Sequence, residues 1–272
     1  MQDNVTYSPL DAANISSNAL ILSLLSAADH GFLTATDLSR AGALFGIEPV
    51  TIRMALSRLS RENRLSKISR GTYQLGRNAS AITARTSLWR DADHLQRSWR
   101  GDWICVIPQK DIGSPQKTMR PQESALRLFG FSKFGDLFLR PDNLIYDSGA
   151  LNEQLTTLGL SSGAIIFTTR NAIGNDQWRE LWPVELLSAS YENAIAAMQA
   201  SQRQLPQLSL PESAAQTYLV GEATIRCINL DPLLPTEFAD QARFNEMVST
   251  MRKYSEIGQE IWRQFFASAD NP

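Results

Sequence analysis

Residues 44–75 read LFGIEPVTIRMALSRLSRENRLSKISRGTYQL, and their spacing encodes a helix followed by a hairpin. In the part 48–64, Pro49 falls in the first helical turn, where its missing N–H costs no hydrogen bond. With Ile52 at zero and about 100° per residue, Ala55, Leu56, Leu59 and Asn63 fall within about 60° of it and form an apolar stripe. Arg61 lies opposite, flanked by Arg53, Arg64 and Arg58, with Thr51, Met54 and Ser57 among them. A merely solvated helix would mix Glu with Lys, whereas this face repeats guanidiniums between small and apolar side chains, as a surface meeting phosphates and base edges would. Beyond it, residues 65–75 alternate around Arg70-Gly71, a two-residue hairpin signal.

Working outward, SSNALILSLLSAAD (16–29) places Leu20, Ile21, Leu24, Leu25 and Ala28 at helical spacing. A second helix begins at Thr34, with Asp37 three residues on as a variant capping box, and buries Leu38, Ala41, Leu44 and Phe45. Gly46 marks the turn into the basic helix. Three helices and a basic-tipped hairpin give a winged helix-turn-helix over residues 15–77. Thr51, Arg53, Met54 and Ser57 are then placed for base edges, Arg58, Arg61 and Arg64 for phosphates, and Lys67, Arg70 and Tyr73 on the wing for the backbone or minor groove.

The charge distribution agrees with this reading. Residues 48–77 hold seven Lys and Arg against Glu48 and Glu62, a net +5 in a chain of net charge −2, so the remainder carries −7. A length of 272 residues, 43% of them hydrophobic, suits two or three folded modules. Cys105 and Cys227 lie in apolar runs and make no disulfide framework. With His30 and His94 they have no zinc-ligand spacing. The N-terminus has no signal-peptide pattern, and the run ALILSLLSAA is too short to span a bilayer, so a cytoplasmic protein without a membrane segment is expected.

A linker helix is expected over 78–100, with Leu88, Trp89, Ala92, Leu95 and Trp99 at helical spacing. Residues 101–171 read as β-α-β-(β)-α-β, with strands at WICVIP, GDLFLRP, NLIYD and GAIIFTTR, a central ferredoxin-like α/β sandwich. Residues 175–272 read as a C-terminal helical domain: one helix over WRELWPVELLSASYENAIAAMQASQRQL, a second ended by the DPLLP turn, and a long third carrying an apolar stripe that suits either core or a subunit interface. The fold class is α+β, and a fragment beginning near Ala81 is expected to stay folded and dimeric.

No nucleophile elbow, phosphate loop, dinucleotide fingerprint or zinc-protease motif occurs, so neither enzyme activity nor a cofactor is expected. Two alternatives stay open. Asp111, after the first strand of the ferredoxin-like unit, would be the centre of a metal-dependent nuclease. A winged helix can also serve as a protein-binding scaffold.

Four stretches in order resemble the PaaX family of bacterial repressors of phenylacetate degradation: residues 44–75, SWRGDWICVI (98–107), RLFGFSKFGDLFLRP (127–141) and INLDPLLPTEF (228–238). The resemblance covers nearly the whole chain. It implies a homodimeric repressor that binds double-stranded operator DNA and is released by an aryl-acyl-CoA thioester such as phenylacetyl-CoA. The chain departs from the family pattern in a longer polar N-terminus and a long loop over 109–119. An effector site in the acidic remainder would need a cation for the CoA phosphates, and Lys133 and Arg140 beside the glycine-rich turn are the candidates.

Overall fold

The computed structural model describes residues 7–10, 14–79, 87–109, 119–170 and 175–268 and has a mixed α+β fold. Its contacts divide the chain into two compact units. One takes in 91–192 and 227–248, and the other 7–90, 193–226 and the chain from 249 on.

In the unit that begins at residue 7, helices α1 (Ser17–Ala27), α2 (Ala35–Ala43) and α3 (Pro49–Arg61) precede strands β2 (Leu65–Ser69) and β3 (Thr72–Leu75). A short strand β1 (Phe32–Thr34) completes an antiparallel sheet of order β1-β3-β2. The capping box forms at α2: the Asp37 amide donates to Thr34 Oγ1 at 3.1 Å, and the Thr34 amide donates to Asp37 Oδ2 at 3.1 Å. Gly46 takes a positive φ of 67°, while the Ile47 amide donates back to the Gly42 carbonyl at 2.9 Å, closing α2 and turning the chain into α3. The stripe Ile52, Ala55, Leu56 and Leu59 is buried against Leu20, Ile21, Leu24, Leu25 and Leu38. Asn63 leaves the stripe: α3 ends at Arg61, and Asn63 sits exposed at φ 55° as the residue that terminates the helix.

Segments distant in sequence complete this core. Tyr218 on α7 (Leu210–Asn229) packs on Phe45 in a tilted arrangement with ring centroids 5.1 Å apart. Trp262 and Phe266 on α8 (Gln241–Ala267) pack against the same cluster. Arg40 of α2 donates to the Phe265 carbonyl at 3.0 Å and lies over the Phe265 ring. Division by contact therefore differs from division by sequence order, because no amphipathic helix of either segment covers its apolar face alone.

In the other unit, β4 (Trp103–Ile107), α4 (Met119–Leu128), β5 (Ser132–Phe134), β6 (Leu137–Pro141), α5 (Ser148–Thr157) and β7 (Ile165–Thr169) run in β-α-β-β-α-β order. Their sheet is antiparallel with order β5-β6-β4-β7. Ile104, Val106 and Phe138 face a core with Leu126, Leu151 and Leu155. Trp103 on the opposite side meets Trp99, Trp178, Trp182 and Phe238, with centroids 5.3–6.2 Å apart.

Three expected elements differ. The second and third strands are β5 and β6, joined at Gly135-Asp136, and NLIYD is not a strand of the sheet. Its backbone bonds instead to residues 95–97: the Ile145 amide donates to Leu95 and the Arg97 amide to Asn143, leaving one isolated bridge. Residues 80–86 of the expected linker helix lie outside the described residues. Ser87–His94 is a 3-10 helix whose buried Trp89 and Ala92 are three residues apart, and Trp99 joins the aromatic cluster from non-helical backbone. The long helix expected from residue 178 is interrupted at Pro183: a 3-10 turn spans Asn175–Leu181 and α6 runs Val184–Gln204.

The 231–234 turn is held by buried polar groups. Arg140, 1% exposed, donates to the Phe129 carbonyl, to Asn143 Oδ1 at 2.9 Å and to the Leu233 carbonyl at 3.3 Å. Asp231 accepts from the Tyr191 hydroxyl at 2.6 Å and from the Leu233 amide at 2.8 Å. Gly130 (φ 74°) approaches this turn so closely that an added Cβ would lie 2.4 Å from the Pro232 carbonyl oxygen. Burial raises the Asp231 carboxyl to about 6 against the hydrogen bonds and the Arg140 charge that oppose it. It also lowers the Arg140 guanidinium to about 9, so Arg140 stays cationic at neutral pH.

The fold generates two predictions. Removing residues 1–79 uncovers Tyr218, Trp262 and Phe266, so the remaining chain should bind a hydrophobic dye and melt without a sharp transition. A cooperative melt equal to that of the full chain would contradict the shared core and favour the alternative, an independently folded fragment from Ala81. For Asp231, the folded pKa of about 6 lies above the unfolded value of 3.8. The stability it contributes is thus complete below about pH 4 and lost as pH rises through about 6. Denaturant midpoints across pH 4–7 should fall with pH for the native chain and fall less for Asp231→Asn.

Candidate nucleic-acid interface

The outward face of α3 is the direct complement of its buried stripe. Thr51, Arg53, Met54, Ser57, Arg58 and Arg61 are all exposed. Among the described residues, Arg53 and Arg61 have no ion-pair or hydrogen-bond partner, and no acidic side chain is bound to this face. Arg58 donates to Asn18 Oδ1 of α1 at 2.8 Å, which holds it across the α1–α3 junction. Met54 is 67% exposed, a position where an apolar side chain can meet a thymine methyl group.

Arg64 is placed differently. It follows the helix end, is half-buried, and its Nε is enclosed without a hydrogen-bond partner. Its amide donates to the Leu59 carbonyl at 2.9 Å as part of the helix terminus. The α3 end is also closed by Asn78, whose amide donates to Asn63 O and whose side chain donates to Glu62 O.

The hairpin presents Lys67 and Arg70 to solvent, with Gly71 at φ 82° beside Arg70. The Ala35 amide donates to the Gly71 carbonyl at 2.8 Å and so ties the hairpin tip to the start of α2. Tyr73 is half-buried and packs on the core cluster, opposite Leu33 and Lys67 in the sheet. Its ring is thus part of the scaffold that supports the hairpin.

Two further residues join the face. Val50 and Ile68 are each 52% exposed and interleave with the cations. Val50 was readable from the helical wheel, at about 160° from Ile52. Ile68 was not, because a bulge between Lys67 and Ser69 takes it out of the regular register.

Lys133 and Arg140 are not brought together as a cation site. Arg140 is inside the fold with its donors taken, as described. Lys133 pairs with Glu123 at 2.9 Å and lies over the Phe138 ring. Asp111 lies outside the described residues, and among the described residues no group of three or more His, Cys, Asp or Glu could hold a metal. Cys105 and Cys227 are buried free thiols, both pushed up by burial, and no described helix is long and apolar enough to cross a membrane.

Comparison with known proteins bears on this geometry. No curated protein matches the chain. Among solved structures it is similar to the uncharacterized protein Rv0674 from Mycobacterium tuberculosis, at 23% identity and a TM-score of 0.57, over 90% of this chain and 99% of that one. At that identity the likeness speaks to the fold alone. Residues 20–76, which hold α1 to β3, match the family model described as a transcriptional regulator, AbiEi antitoxin. The segment bearing the arginine face is thus similar to a domain of the transcriptional-regulator kind.

Proposed function

We propose that this protein is a winged-helix DNA-binding regulator that reads duplex DNA with α3 and the β2–β3 hairpin. One observation carries the reading: three exposed arginines, Arg53, Arg58 and Arg61, stand on the face opposite Ile52 and Leu59, with no acidic partner among the described residues. In this arrangement α3 enters the major groove. Thr51, Arg53, Met54 and Ser57 meet base edges, while Arg58 and Arg61 hold phosphates. Lys67 and Arg70 reach the backbone from the hairpin tip. The regulator match over 20–76 supports the DNA-binding reading.

The resemblance to PaaX extends the proposal. The β-α-β-β-α-β unit is then the central ferredoxin-like domain, and the protein acts as a dimeric repressor released by an acyl-CoA thioester. Two half-sites about one helical turn apart would match such a dimer.

Fluorescence anisotropy with duplexes from the protein's own upstream region tests the interface. Arg58→Ala and Arg61→Ala should weaken binding to all sequences and reduce the salt slope by about 1 each. Arg53→Ala should cost about 1–3 kcal/mol and relax preference at one base pair. Wild-type affinity in all three variants would exclude α3 as the reading helix. For the effector, phenylacetyl-CoA should lower operator affinity by about 5–150-fold while phenylacetate does not. An unchanged gel shift with the thioester would remove acyl-CoA control and leave DNA binding intact.

A further inference from the structure

The unit that carries α3 also contains a cavity of about 570 Å³, a volume typical of small-molecule sites. It opens to solvent and is lined by the end of α1, the turn at 28–31, β1, α7 and the C-terminal half of α8. Its walls are mainly apolar and aromatic, with Leu24, Phe32, Tyr218, Met251 and Trp262 among them.

One carboxyl group stands in this apolar wall. Glu222 of α7 accepts from the Ser23 hydroxyl of α1 through Oε1, and no other hydrogen bond to it occurs among the described residues. Glu222 lines the cavity and is half-buried, and burial raises its carboxyl pKa. A carboxylate in such a place is costly without a counter-charge. The remaining charged lining leans the same way. Asp29 is paired with Arg263 at 2.7 Å, and Asp37 is occupied by Thr34, so the guanidinium in the lining does not serve Glu222.

We propose that this cavity binds a small aromatic amine, with its ammonium against Glu222 and its ring against Tyr218 and Trp262. The ring walls favour a flat apolar body and add attraction for a cation. The carboxylate excess in the lining disfavours an anionic aromatic of the same shape. The site would act on the DNA-reading unit directly, since Leu24 lines the cavity and belongs to the core cluster that also holds Ile52, Leu56 and Leu59.

Calorimetry on the full chain, with 2-naphthylmethylamine and 2-naphthoate as matched probes, tests it. The amine should bind one per chain, and the acid should bind at least about tenfold more weakly. Glu222→Gln should erase most of that preference. Ala27→Trp changes an exposed residue of the cavity wall and should abolish binding of the amine with the circular dichroism spectrum unchanged. This second variant keeps the test decisive if Glu222→Gln does not fold. Absence of saturable amine binding, equal affinity for the two probes, or amine binding that survives Ala27→Trp would overturn the proposal. None of these measurements involves DNA, so the interface on α3 stands or falls separately.

Discussion

Ile52, Ala55, Leu56 and Leu59 must leave water together, and this requirement orients everything else on α3. Fully burying an aliphatic side chain is worth about 1.5–3 kcal/mol, whereas an exposed charge pair contributes about 0–1 kcal/mol. The stripe therefore decides which way the helix turns, and the arginines go where the stripe leaves them. Because successive residues advance by a fixed angle, burying Leu59 places Arg61 outward without any interaction of its own. The exposed guanidiniums are a consequence of packing. They are available to a polyanion because no acidic side chain on the described surface has been set beside them.

The same logic explains why the core around α3 draws on both ends of the chain. The α1–α3 arrangement leaves Phe45, Leu44 and Ile47 against Tyr218, Ala215 and Trp262. Three short helices and a small sheet cannot enclose that much apolar surface, and the distant helices α7 and α8 supply the missing layer. The cavity beside Glu222 is where the layer does not close. It lies among α1, α7 and α8, so its volume depends on how these helices meet.

In the other unit a buried cation does comparable work. Arg140 serves carbonyl oxygens at the end of α4 and in the 231–234 turn, and a guanidinium can do so because its donors fan out in one plane. Leu233 is held at φ 51° while its amide binds Asp231 and its carbonyl accepts from Arg140 and Asn143. Each group in this network is satisfied only while the others stay in place, and loss of one leaves a buried charge or dipole unpaired.

Local spacing alone determined the helices α1–α3, the Arg70-Gly71 hairpin, the strands β4, β6 and β7 and the outward arginines. Those features depend on neighbours three, four or two residues away, where periodicity carries the information. Strand choice was less legible: NLIYD is a short apolar run between polar residues, as a strand can be, yet its backbone hydrogen bonds went to residues 95–97, a competition that no single segment records. Arg140 read as a cation for an effector phosphate, and only the approach of residues 129 and 233 gave it reasons to be inside. Tertiary structure likewise decided that α7 and α8 share a core with α1–α3, and that Glu222 lines a cavity. Burial is a property of pairs of surfaces far apart in sequence, and periodicity specifies only one surface of each pair.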